Sequence, residues 1–178
     1  MQDKLQHYTW KLGLHNCIQF NTGLLNPEER IRDYCRQDKC GSYNKNHMCP
    51  PLVGSLKETR ALLSNYHTGI LFQYSEPLDV SNDKNGLRLT KKEFHKKVLK
   101  LEKFLNKHAE TNVLGIIGGN CEICKECGAL SGEPCRHPRK ARPSLESLGI
   151  DVIALLEKLG LDNKFHRDRI TWTGCVLY

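Results

Sequence analysis

The chain has 178 residues, 27 Lys and Arg against 20 Asp and Glu, a formal net charge of +7 and nine cysteines. That length fits one domain able to bury a core without covalent staples, and the 39% hydrophobic content excludes a membrane-embedded chain and argues against a disordered one. Cysteine makes up about 5% of the residues, below the roughly 8–10% of a disulfide scaffold but too much to be incidental.

Residues 2–12 read as a short helix stopped by Gly13, and Cys17 to Phe20 as a short strand. Asn26-Pro27-Glu28-Glu29 is a helix start, with a capping residue, a proline at the first helical position and acids facing the dipole. This helix runs into Tyr34 and Cys35, and residues 35–54, rich in Cys, Gly, Asn and Pro, read as a loop. Ser55-Leu56-Lys57-Glu58 is a capping box and predicts a helix over about 55–66. Gly69 to Tyr74 is a continuous apolar run of strand length, and the polar stretch 75–89 carries an Asn85-Gly86 turn signal.

A second capping box, Thr90-Lys91-Lys92-Glu93, predicts a helix over 90–108. Phe94, Val98, Leu101 and Leu105 line one face of it, and Lys92, Lys96, Lys100, Lys103 and Lys107 occupy much of the other. Asn112 to Ile117 reads as a buried strand ended by Gly118-Gly119. Ser144–Leu148 and Asp151–Leu159 read as helical, Gly160 as a stop, and Ile170 to Tyr178 as a last strand. Strand, helix, strand over 69–117 is a crossover unit, which predicts parallel strands in a right-handed connection. The expected fold class is α/β: a small mixed or parallel sheet of about four strands, helices packed on it, and two cysteine-rich metal-binding loops. The expected organisation is a single metal-binding domain over residues 1–178, with cysteine loops at 35–51 and 118–143.

The first residues, MQDKLQHYTWKLGLHN, hold no apolar run of seven or more, so no secretory signal is expected, and nothing resembles a membrane span. The expected location is the cytoplasm, where stable disulfides are rare, and an odd cysteine count does not close into pairs. Metal or redox chemistry is therefore the expected use of the thiols.

Seven of the nine cysteines fall in two groups. The first is Cys35-x4-Cys40-x8-Cys49, followed by Pro50-Pro51; the second is Cys121-x2-Cys124-x2-Cys127-x7-Cys135, followed by Arg136-His137-Pro138. Cys17 and Cys175 stand alone in candidate strands and read as small core hydrophobes. A Cys-x2-Cys-x2-Cys run places three sulfurs around one compact polynuclear object, as in ferredoxin loops that hold a [4Fe–4S] cluster. Cys135 and Cys49 are the candidates for the fourth ligand. A zinc ribbon instead pairs two separate Cys-x2-Cys knuckles, and here the two knuckles overlap at Cys124.

The first group matches no standard zinc spacing. It can hold three corners of a second cluster, completed by Cys17, His47, a ligand from the second loop, water or substrate, or it can join the second loop in one site. Gly118, Gly119 and Gly128 are candidates for bringing backbone N–H groups close to sulfur, or are plain turns. Arg136, Arg139, Lys140 and Arg142 can offset cluster charge, dock an acidic redox partner, or be solvated.

YCRQDKC…CPP, GGNCEICKEC, PCRHP and ARPSLESLGIDV, in this order and spacing, resemble the metal-binding family called domain of unknown function 2284. The resemblance runs from about Gly13 to the last strand. It implies metal binding at Cys35, Cys40, Cys49, Cys121, Cys124, Cys127 and Cys135, in a cytoplasmic protein with iron–sulfur-type loops, and it implies no reaction. Leu145 and Ser147 depart from the family's usual Met and Ala, and Cys17 and Cys175 lie outside its pattern.

The leading expectation is an electron-transfer or redox protein with one or two [4Fe–4S] clusters and a redox partner protein. One alternative is an enzyme or enzyme partner that uses an open-site cluster held by three Cys. The other is a zinc-stabilised nucleic-acid-binding module, suggested by the +7 charge. The lysines alternate with a core face and no nucleic-acid motif is present, so nucleic acid is not the expected partner.

Overall fold

The computed structural model describes residues 2–108 and 112–178. Among the described residues, four strands form one sheet in the order β1-β2-β4-β3: β1 (His15–Asn21), β2 (Thr68–Pro77), β3 (Leu114–Ile116) and β4 (Arg169–Leu177). The helices are α1 (Gln2–Lys11), α2 (Glu29–Arg36), α3 (Leu56–Leu63), α4 (Lys84–His108) and α5 (Val152–Lys158). No helix among them is long and apolar enough to cross a membrane.

The mixed α/β class is as expected, but the parallel pairing is corrected: every strand pairing in the sheet is antiparallel. β2 and β3 do point the same way, because each runs antiparallel to β4, and α4 crosses between them. They are not neighbours, because the last strand inserts between them. β4 can take that central place because both its faces are apolar where it pairs with β2 and β3; Cys175, Val176 and Leu177 are each fully buried. One isolated parallel bridge, Ile117 to Ser144, lies beyond β3.

Side chains alternate across the sheet, so each face feeds its own core. Ile70, Phe72, Tyr74 and Val176 pack with Leu14 and with Phe94, Val98, Leu101 and Leu105 of α4. Leu71, Ile116, Cys175 and Leu177 pack on the opposite face with Phe20, Leu63, Leu145, Leu148, Ile150 and Leu155. Covering both faces explains why β2 is a continuous apolar run rather than an alternating one.

Several helix starts move. α3 keeps its capping box, with Ser55 Oγ accepting from Glu58 N and the Glu58 carboxylate accepting from Ser55 N. α4 starts at Lys84, well before Thr90. Asp83 Oδ1 accepts from Gly86 N at 2.7 Å and does the capping, so Asn85-Gly86 lies inside the first turn. Thr90 is mid-helix, and its hydroxyl donates back to Gly86 O at 2.9 Å. α2 is not capped by Asn26. Glu28 occupies the cap position without a side-chain cap bond, and its N–H donates to Gly149 O at 2.8 Å. The 144–148 segment is a 3-10 turn over Glu146–Leu148, closed by Gly149 in the left-handed region.

Candidate metal centre

α2 delivers Cys35 in its last turn, and the chain then folds back through residues 37–54. Asp38 (φ 49), Gly41 (φ 70) and Asn44 (φ 55) take the left-handed turns that this path requires, and they are residue types that tolerate it. The Asp38 carboxylate accepts from Tyr43 N at 2.9 Å and from Lys45 Nζ at 2.6 Å, which holds its pKa below the usual carboxylate range and pins the turn after Cys40. Cys49 N donates to Asn46 O at 2.9 Å, and Val53 N donates to Cys49 O at 3.0 Å.

The second loop leaves β3 at Gly118 and returns at Arg142. The three glycines sit where the backbone passes closely or turns left-handed. A Cβ at Gly118 would meet Thr173 O at 2.8 Å, Gly119 has φ +73, and a Cβ at Gly128 would meet Pro134 O at 2.8 Å. Lys91 of α4 holds the front of this loop. Its Nζ donates to Asn120 Oδ1 at 2.5 Å and forms an ion pair with Glu122. The back of the loop is held by Arg142, whose Nε donates to Glu102 Oε2 at 2.7 Å in a mostly buried pair with α4. Arg142 is therefore a structural cation and not a solvated one, whereas Arg136 pairs with Glu133 at the surface.

The two loops are stitched together. Asn46 Nδ2 donates to Cys121 O at 2.7 Å, Asn120 Nδ2 to Ser42 Oγ at 3.0 Å, and His47 Nε2 to Glu133 O at 2.8 Å. Between them lies a cavity of about 590 Å³ lined by Cys40, Cys121, Cys124, Cys127 and Cys135, with Arg88 and Lys92 of α4 on its wall. Cys49 is buried, and burial pushes its thiol up to about 12, with the neighbouring thiols Cys40, Cys35, Cys121 and Cys127 adding to the rise. Cys35 is also raised, first by burial and then by Cys40 and Glu146, with Arg32 opposing. The seven loop thiols thus form one neighbourhood, built by both loops together. Among the described residues, no three His, Cys, Asp or Glu side chains stand close enough to grip a single metal ion.

The two lone cysteines separate. Cys175 is fully buried in the core, as expected, and burial raises its thiol far above the ordinary range. Cys17 is not a core residue: it lies exposed on β1, which is an edge strand and keeps only one neighbour. Sequence reasoning passed over Asn46, Lys91 and Glu102 as parts of the site. Glu102 had a signal, since an acid four residues after Val98 and three before Leu105 falls on the apolar stripe and needs a partner there. Asn46 had none, because its partner lies in the other loop.

No curated protein and no solved structure matches the chain. A family described as predicted metal-binding protein (DUF2284) matches residues 19–178, a span that holds the whole cavity wall and all seven loop thiols, and the chain belongs to that family.

Proposed function

We propose that the protein binds an iron–sulfur cluster between its two cysteine loops and passes electrons to a redox partner protein. The observation that carries this reading is the cavity of about 590 Å³ walled by Cys40, Cys121, Cys124, Cys127 and Cys135. A tetrahedral zinc ion draws sulfurs to about 2.3 Å from one point, and hence about 3.8 Å from each other. Thiols spread around a larger space suit a polynuclear core better, and three of them come from the Cys-x2-Cys-x2-Cys run typical of cubane ligation. The donor set therefore fits the group.

When bound, such a cluster supplies one-electron redox chemistry. The chain does the rest. Cys121, Cys124 and Cys127 are the proposed ligands of three irons, with Cys135 or Cys40 as the fourth thiol on the same wall. Cys35 and Cys49 lie beside Cys40, and with Cys135 completing the first group these three are the proposed thiolates of a second metal group. Asn46, Asn120 and Lys91 hold the loops in register, and the cations Arg88 and Lys92 offset the negative charge of thiolate ligation.

Iron, sulfide and zinc per chain, measured on anaerobically prepared protein, test this reading. The expected protein is brown, absorbs near about 400 nm and bleaches with dithionite. About four irons per chain indicates one cubane and about eight indicates two. A colourless protein carrying stoichiometric zinc after iron and sulfide reconstitution overturns it.

A further inference from the structure

Arg32 lies on α2 one turn before Cys35 and is only 6% exposed. Its Nη1 donates to Gly54 O at 2.6 Å and its Nη2 to Thr59 Oγ1 at 3.2 Å, both neutral acceptors. Its Nε is buried and has no hydrogen-bond partner among the described residues. The two carboxylates whose charge reaches it are engaged elsewhere. Glu29 pairs with Arg36, and Glu58 accepts from Ser55 N and Ser55 Oγ in the capping box. Neither forms an ion pair with Arg32 among the described residues.

A buried guanidinium bonded only to neutral oxygens is costly unless an anion completes it. Cys35 lies three residues along on the same side of the helix, so a thiolate there faces Arg32 across one turn. With Cys35, Cys40 and Cys49 as its thiolates, a centre on this side is anionic whether it holds a [4Fe–4S]²⁺ core or Zn²⁺, since three thiolates outweigh a 2+ charge. We infer that Arg32 is the built-in counter-cation of the thiolate centre on the Cys35 side, a positioning residue that holds the anionic group in a poorly solvated place. This rests on the two loops binding metal, and not on which metal they bind.

Co²⁺ added to the reduced apoprotein under anaerobic conditions reports thiolate ligation through its charge-transfer absorption, with no need for iron or activity. Groups around a metal's ligands typically change affinity by about 10–100-fold. Arg32→Met is expected to weaken Co²⁺ binding by about tenfold or more. Arg32→Lys, which keeps the charge, is expected to stay within about threefold of wild type. Thr59→Val removes one acceptor of the guanidinium and keeps the charge, so its affinity should match wild type.

A merely structural arginine predicts another pattern: Arg32→Lys and Thr59→Val, which break its fork, lose affinity alongside Arg32→Met. That pattern overturns the inference, as does an Arg32→Met that binds like wild type. So does a wild-type apoprotein that takes no Co²⁺ into thiolate coordination. Should Arg32→Met fail to fold, Arg32→Lys decides, since a tenfold loss there contradicts a role in charge. Metal analysis of the isolated protein separately tests the iron–sulfur reading, so the two ideas fail on different measurements.

Discussion

The side chain of Asn46 in the first cysteine loop donates to the main-chain oxygen of Cys121 in the second, at 2.7 Å. The same side chain accepts from Met48 N at 3.0 Å through its Oδ1. One buried amide therefore sets both the turn before Cys49 and the distance between the loops. Asn46→Ala leaves a carbonyl and an N–H without partners, which costs about 1–3 kcal/mol for each group that stays buried. The expected outcome is a melting temperature lower by several degrees and a lower metal content per chain. Full metal content in a destabilised Asn46→Ala protein would show that the loops find their register without it.

The strands were legible because they are long apolar runs or alternate with turn residues. The antiparallel order was not, because the adjacency of β2 and β3 depends on where the last strand goes. Nothing in 69–117 records that Ile170–Tyr178 will fill the gap. The site was half legible. The grouping of the seven thiols into two loops is visible in their spacing along the chain. The merging of the loops rests on Asn46, Ser42 and His47, polar residues of ordinary loop composition whose partners are far along the chain. Cys17 lies outside the core because its strand forms the sheet edge, and nothing in the short run Cys17 to Phe20 marks it as an edge.

The Glu102–Arg142 pair joins α4 to the end of the second loop, with side chains 11% and 13% exposed. Glu102 Oε2 also accepts from Gly115 N of β3 at 3.1 Å. Removing one member leaves the other charged and buried, at a cost of about 3–5 kcal/mol. Arg142→Ala and Glu102→Ala should each lower the urea midpoint strongly. The double replacement by leucine should lose clearly less than the sum of the two. Additive losses would mean that the two side chains act independently.

Burial pushes the His95 imidazole below its usual range, opposed by its bond to Lys140. Its Nε2–H donates to Lys140 O at 2.9 Å, which a neutral ring satisfies. A depressed folded-state value means that the unfolded chain takes up the proton first as the pH falls. The stability this ring contributes is therefore fully present above about pH 6.5 and declines below it until the folded ring itself titrates. His95→Gln keeps a donor and removes the titration. Urea unfolding of this variant should show a flatter loss of stability between about pH 6.5 and 5 than wild type. An unchanged slope would assign the acid sensitivity to other groups.

A serine and alanine series separates the thiols by role. Cys121→Ser, Cys124→Ser and Cys127→Ser each remove a wall of the cavity, and each should lose most of the bound metal. Cys175→Ala removes a sulfur from the core beneath β4, so it should keep full metal content and lose about 1 kcal/mol of stability. Cys17→Ser changes an exposed position on the edge strand and should alter neither, staying within about ±0.5 kcal/mol. Metal per chain and thermal unfolding, measured on the same preparations, read both quantities. Loss of metal in a folded Cys175→Ala would falsify the division into seven ligands, one core residue and one surface thiol. Retention of metal through all three serine variants of the second loop would move the centre away from the cavity altogether.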